Sequence, residues 1–224
     1  MGRRLSLMAF ALAVALAAVP ALAQVDEQQA VNNAANTVER MKANTSFQQD
    51  FQAQMQTARA VLIVPNLYKG GFILGGQYGN GVLLVRQANG SWSYPAFYTL
   101  EGGSLGLQVG IESTGILFII RSEKALDAIL SSQFKFGADV GITVVVFGAG
   151  MGAATTPNLT ADIVAFAVSG VGLYVGVSLE GTAVSPRESW NAAYYGRDVS
   201  GRAVVLDNAA TNTRADRLRD ILAH

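Results

Sequence analysis

Hydrophobic spacing divides the chain into a helical beginning, a long β-textured middle and a helical end. Over residues 25–59, Val31, Ala34, Ala35, Val38 and Met41 recur at helical spacing with Asn, Gln and Glu between them. Asn44-Thr45 interrupts that pattern, and Ser46 with Gln49 three residues on forms a capping box for a second helix. In the second helix Phe47, Phe51, Met55 and Ala58 fall on one stripe, while glutamines occupy the other faces. Such a stripe either packs on the domain, the reading favoured by its weakly charged polar face, or docks on a membrane surface.

From Val61 the period changes. Val61-Leu62-Ile63-Val64 is a β-branched run closed by Pro65, and five further strand-length apolar segments follow, each punctuated by glycine. Within the segment YKGGFILGGQYGNGVLLVR (68–86), Asn80-Gly81 is a strong hairpin-turn signal and predicts strand, turn and strand. Residues 122–131 (SEKALDAILS) predict a short helix capped by Ser122. Residues 213–222 predict a closing helix with Ala215, Leu218, Ile221 and Leu222 on one side. A short echo links SLGLQVG (104–110) to GVGLYVG (170–176), where glycines four apart share a strand face and suit a curved sheet or partial barrel. Residues 163–179 carry no charge, but they are Gly-, Val- and Ser-rich and shorter than a spanning helix, so they read as buried strands, as do 142–154.

The extreme N-terminus reads as a targeting segment. Arg3 and Arg4 precede an apolar run to Val19, and Ala21-Leu22-Ala23 supplies a small-x-small cleavage site before Gln24. The expectation is a signal peptide over 1–23, an N-terminal helical segment over 24–45 and the main domain over 46–224. The protein is then exported to the periplasm or cell envelope, and is peripheral rather than transmembrane.

Composition narrows the chemistry. The chain has 224 residues, 50 % hydrophobic and 14 % charged, enough to build a core. Of 16 basic and 16 acidic residues, the leader removes two arginines and no acid, leaving a net charge of −2. That balance argues against a nucleic-acid binder. Cysteine is absent and the single histidine is His224, the last residue, so thiol, serine–histidine and histidine–metal chemistry lose their usual participants. The expectation is no catalytic residue, metal or cofactor.

The glycine-rich stretch is not a nucleotide loop either. Its last glycine enters Val82-Leu83-Leu84-Val85, a strand, whereas a phosphate-binding loop opens a helix. Lys69, Arg86 and Arg121 remain as anion contacts or as ordinary charges at strand ends. Glu101, Glu112, Asp139, Asp162 and Glu180 show no spacing that pairs two carboxylates, and read as turn or surface groups. Trp92, Tyr94, Phe97 and Tyr98 form an aromatic cluster, read first as core and second as an exposed rim.

The ordered blocks ARAVLIVPNLYKGGFILGGQYGNGVLLVR, GSWSYPAFYTL and GSLGLQVGIE, with AFAVSGVGLYVGVSLEG and YYGRDVS later, resemble the SYLF, or Ysc84 actin-binding, domain over residues 40–222. That resemblance implies an α+β fold, with N-terminal helices on a glycine-rich, curved, mainly antiparallel sheet or partial barrel and a C-terminal helix. It also implies a non-enzymatic lipid-binding module and, in the fungal branch, actin binding. The family's membrane contact maps onto residues 46–59, with Phe47, Phe51 and Met55 inserting and Arg59, Lys69 and Arg86 meeting head groups. In the exported compartment the expected ligand is an anionic glycerophospholipid surface. A protein partner in the envelope is the alternative, and actin a lesser one.

Overall fold

The computed structural model describes residues 26–46, 48–71, 74–105, 112–131, 134–139, 141–148, 161–169 and 179–224. The leader, Phe47, most of the 104–110 repeat and all of the 170–176 repeat lie outside the described residues.

The continuous apolar runs form one mixed, mostly antiparallel sheet of eight strands, curled into a half-barrel, in the order β5-β8-β3-β2-β1-β4-β7-β6. In chain order the strands are β1 (Ala60–Gly71), β2 (Leu74–Val85), β3 (Ala96–Leu105), β4 (Glu112–Ile120), β5 (Phe134–Lys135), β6 (Val144–Gly148), β7 (Ile163–Ser169) and β8 (Ala183–Pro186). Among the described residues, β6 and β7 pair in parallel and the other strand pairs are antiparallel. The helices are α1 (residues 26–42), α2 (Gln48–Gln56), α3 (Glu123–Leu130), α4 (Glu188–Tyr195), α5 (Gly201–Asp207) and α6 (Asp216–Ala223), the last preceded by a 3₁₀ turn at Thr213–Ala215.

The runs are unbroken because both faces of the sheet are covered. Ala60, Leu62, Leu83, Tyr98, Ile116 and Phe118 pack towards α3 and α5. Val61, Ile63, Val82, Phe97, Leu117 and Phe166 pack towards α1, α2, α4 and α6. The result is three layers, with α1 bound into the same core as the sheet through Val31, Ala34, Val38 and Met41, all buried. Arg217 of α6 reaches Glu39 and Asn36 of α1 at 2.9 Å each, tying the closing helix to the opening one.

Several expectations hold. The chain turns at 43–46 between α1 and α2, and Ser122 caps α3 by accepting from the Ala125 amide. Trp92, Phe97 and Tyr98 are core residues. Asp139 and Asp162 accept from the amides of Lys135 and Thr143 at 2.7 and 2.9 Å, as turn carboxylates do.

Two expectations are corrected. Pro65 does not end the first strand, and Asn80-Gly81 is not a turn. The β1–β2 register runs from Ala60↔Val85 to Gly71↔Gly75, so the chain reverses between Gly71 and Leu74, where glycine pairs 70–71 and 75–76 face each other. Pro65 sits at a register shift between Ile63 and Asn66, the kind of irregularity that tolerates a residue without an N–H. The shift also resets the alternation, so that Val64 and Leu67, three residues apart, share one face.

Asn80 and Gly81 lie in mid-strand opposite that bulge. A Cβ on Gly79 would stand 2.8 Å from both the Asn66 carbonyl oxygen and Val64 Cγ1; one on Gly81 would stand 2.9 Å from the Ile63 carbonyl oxygen. These glycines admit the neighbouring strand rather than a turn.

Candidate functional site

The residues expected to meet lipid divide between the two ends of β1. Phe51 and Met55 face the sheet, 1 % and 8 % exposed, and Phe51 meets Phe166 edge-on. The outward side of α2 shows Gln49, Asp50, Gln52, Ala53 and Gln56. Arg86 serves the same helix end. Its Nη2 donates to the Met55 carbonyl at 2.9 Å and its Nη1 to the Gln56 carbonyl at 3.2 Å, while its guanidinium lies 4.9 Å from the Trp92 ring centre. A cation on the C-terminal carbonyls of a helix is a capping arrangement.

Arg59, exposed, pairs with Glu123 at 3.6 Å. Lys69 stands at the far end of β1, about 30 Å away at roughly 3.3 Å per residue. It is 6 % exposed, between Gln77 of β2 and Glu112 of β4. Phe51, Met55, Arg59 and Arg86 are therefore neighbours, and Lys69 is not among them.

The more open chemistry is at that far end, on the α1 side of the sheet. Tyr68 and Tyr78 are directly opposite each other across β1 and β2, and at 48 % and 44 % exposed they are the exposed large hydrophobic residues among those described. Tyr78 donates its hydroxyl to Asn80 Oδ1 at 3.1 Å. Arg187, just before α4, donates Nη1 to the Tyr78 hydroxyl at 3.2 Å and to Asn80 Oδ1 at 2.5 Å. Its guanidinium is stacked 3.7 Å above the Trp190 ring.

Beside this cluster lies a cavity of about 370 Å³ between α1 and the β1–β2 ribbon. Asp26, Gln29 and Asn33 form its helical wall; Asn66, Tyr68 and Asn80 form its sheet wall; Trp190 lines it as well. Close by, Glu27 is fully buried on the inward stripe of α1, and neither carboxylate oxygen has a hydrogen-bond partner among the described residues. Burial raises its pKa above the ordinary glutamate range, opposed by the charge of Arg187.

Sequence reading passed over this cluster because it put the turn at Asn80-Gly81. The mirrored glycines of GGFILGG are the signal that, taken as the turn, makes Tyr68 and Tyr78 partners.

Among the described residues, no group of three or more His, Cys, Asp or Glu could hold a metal ion, and no helix is long and apolar enough to cross a membrane. A helix-covered half-barrel with an aromatic and polar rim is an α+β domain. The chain belongs to the Ysc84 (SYLF) family, whose profile, described as "Las17-binding protein actin regulator", matches residues 101–224.

It is 31 % identical over 172 residues to Protein YSC84 of Saccharomyces cerevisiae, covering 75 % of this chain and 36 % of that protein. LAS seventeen-binding protein 3 of the same yeast is 30 % identical, with 75 % and 37 % covered. Human SH3 domain-containing YSC84-like protein 1 is 25 % identical over 162 residues, with 72 % and 47 % covered. The chain thus spans between about a third and a half of the length of these relatives.

Proposed function

We propose that this chain is a non-enzymatic binding domain, exported to the cell envelope, that attaches peripherally to anionic phospholipid surfaces through the Tyr68–Tyr78 end of its sheet. The observation that carries the reading is that cross-strand tyrosine pair, exposed where the other large apolar side chains described in the sheet are buried or half-buried. Tyrosine suits a membrane–water boundary, with its ring on the apolar side and its hydroxyl in the wet layer. Arg187 beside the pair supplies a planar cation suited to a lipid phosphate. The apolar leader with its cleavage site supports export. The lone terminal histidine and the dispersed carboxylates support a binding rather than a catalytic role.

The other contact to weigh is insertion of Phe47, Phe51 and Met55, with Arg59, Lys69 and Arg86 on head groups. It requires α2 to lift off the sheet, because Phe51 and Met55 are buried there. Co-sedimentation with neutral and anionic liposomes separates the two contacts. Tyr68→Ser with Tyr78→Ser is expected to abolish binding to anionic vesicles while the protein stays folded. Unchanged binding by that variant, or no binding by the parent protein to any bilayer, would overturn the reading.

A second reading, a protein-partner domain, is favoured by the names of the yeast relatives, which describe Las17 binding and actin regulation. Filament pelleting with purified actin tests it.

A further inference from the structure

We infer that the cavity between α1 and the β1–β2 ribbon is a subsite for a neutral polyhydroxylated group, the sugar or polyol of a lipid head group or of a free glycan. The inference rests on the membrane reading only for the lipid as the source of that group.

The sheet wall offers donors. Asn80 Oδ1 already accepts from Arg187 and from the Tyr78 hydroxyl, and Asn66 Oδ1 accepts from Ser113 Oγ at 3.0 Å. Arg187 can only donate, which fixes the Asn80 carboxamide with its oxygen engaged, so among the described residues Asn80 Nδ2 and the end of the Asn66 carboxamide that Ser113 does not hold remain for a ligand. The helix wall offers acceptors across the gap: the Asp26 carboxylate and the carboxamides of Gln29 and Asn33. A hydroxyl both donates and accepts, so a ring of hydroxyls can bridge amide donors on one wall to carboxylate and carbonyl acceptors on the other. The exposed Tyr68 ring provides an apolar face for the C–H side of such a ring.

Charge argues against phosphate inside the cavity. Asp26 lines it and the Glu27 carboxyl is buried nearby, while Arg187 stands beside the tyrosine pair and does not line the cavity. A neutral group meets no such repulsion. The volume of about 370 Å³ lies in the range of small-molecule sites, about 300–1,000 Å³.

Amide-resolved NMR titration of the purified protein tests this with methyl glycosides, inositol and glycerol, and with inorganic phosphate as the contrast. At least one polyol is expected to shift the side-chain amides of Gln29, Asn33, Asn66 and Asn80 with a Kd near 1 mM or tighter. Gln29→Ala with Asn33→Ala is expected to weaken it about five- to tenfold at an unchanged thermal midpoint. Should the pair disturb folding, Gln29→Ala alone, on an exposed position, is expected to weaken it by about half as much on a logarithmic scale.

Vesicles distinguish the sources and the two readings. Phosphatidic acid presents phosphate without a polyol, and a neutral glycolipid in phosphatidylcholine presents sugar without added charge. Binding to glycolipid vesicles, competed by the soluble sugar, marks a lipid source. Soluble-sugar binding without any vesicle binding marks a free glycan, keeps this inference and removes the membrane reading. Phosphatidic acid binding with no polyol shifts, stronger shifts from phosphate than from any polyol, or full affinity in the folded variants would overturn the inference.

Discussion

Phe51 of α2 meets Phe166 of β7 edge to face, ring centres 5.3 Å apart and planes at 82°. Phe147 of β6 stacks on Phe166 at 5.1 Å, so a chain of three aromatic rings joins the second helix to the sheet's outer edge. The helix expected to meet lipid is thereby docked on the sheet in the folded state. Phe51→Ser removes a fully buried ring and leaves a hydroxyl in its place. It is expected to cost about 4 kcal/mol, in the range of large-to-small aromatic replacements. Urea unfolding measures the loss. A midpoint unchanged from the parent protein would mean that α2 is not docked in solution.

The glycines opposite the bulge set a second test. Gly79→Ala forces a Cβ to 2.8 Å from a backbone carbonyl that cannot swing aside, and is expected to cost about 1–3 kcal/mol. Gly103→Ala, with nothing within 4 Å of the added carbon, is expected to be neutral or stabilising by about 0.5 kcal/mol through the unfolded chain. Thermal unfolding of the two variants side by side checks the contrast. Equal effects would remove the close-approach account of Gly79.

These glycines also show where the sequence stops being legible. Helical period, caps and apolar runs depend on neighbours in the chain, and so α1, α2, α3, α6 and the main strands could be read directly. The turn could not be. Asn80-Gly81 has the local chemistry of a type I′ turn, yet its glycine answers to Val64 and Ile63, residues on another strand. That error of position hid the Tyr68–Tyr78 pairing and the cavity beside it.

Helices α4 and α5 gave little periodic signal either, because the faces they bury include Asn191 and Gly201 rather than an unbroken apolar stripe. They are held by a network that no local pattern shows: Asn191 Oδ1 accepts from the Phe97 amide at 2.9 Å, and Glu188 Oε2 accepts from the Gly201 amide at 3.0 Å.

Glu27 ties stability to pH. Burial lifts its pKa, so between the ordinary glutamate value of about 4.3 and its folded value the native protein keeps a proton that the unfolded chain releases. The contribution is full below the unfolded value and is lost as pH rises through the folded one. Glu27→Gln removes it. The variant's thermal midpoint relative to the parent protein is expected to climb with pH across that window and then level off above it, with the variant the more stable at neutral pH. A difference that stays flat from acid to neutral pH would show that the carboxylate is solvated or paired in solution.

Arg187 and Trp190 give the last test, because one side chain ties β2 to α4 at the tyrosine end. The guanidinium lies 3.7 Å above the indole while Nη1 reaches Asn80 and Tyr78. Lysine carries the charge but not the planar fork, so Arg187→Lys is expected to lose the stack and one of the two hydrogen bonds. A double-mutant cycle of Arg187→Ala with Trp190→Ala should give a coupling of about 0.5–1 kcal/mol, the value for a partly exposed cation over an indole. If the stack also positions Tyr78 for a bilayer, Arg187→Lys lowers partitioning into anionic vesicles by more than the loss of stability explains. Arg202→Lys, in an exposed ion pair with Asp127 at 3.5 Å, serves as the control that preserves charge. Equal partitioning by both lysine variants would leave Arg187 a structural clamp, and would place membrane contact on the tyrosines alone.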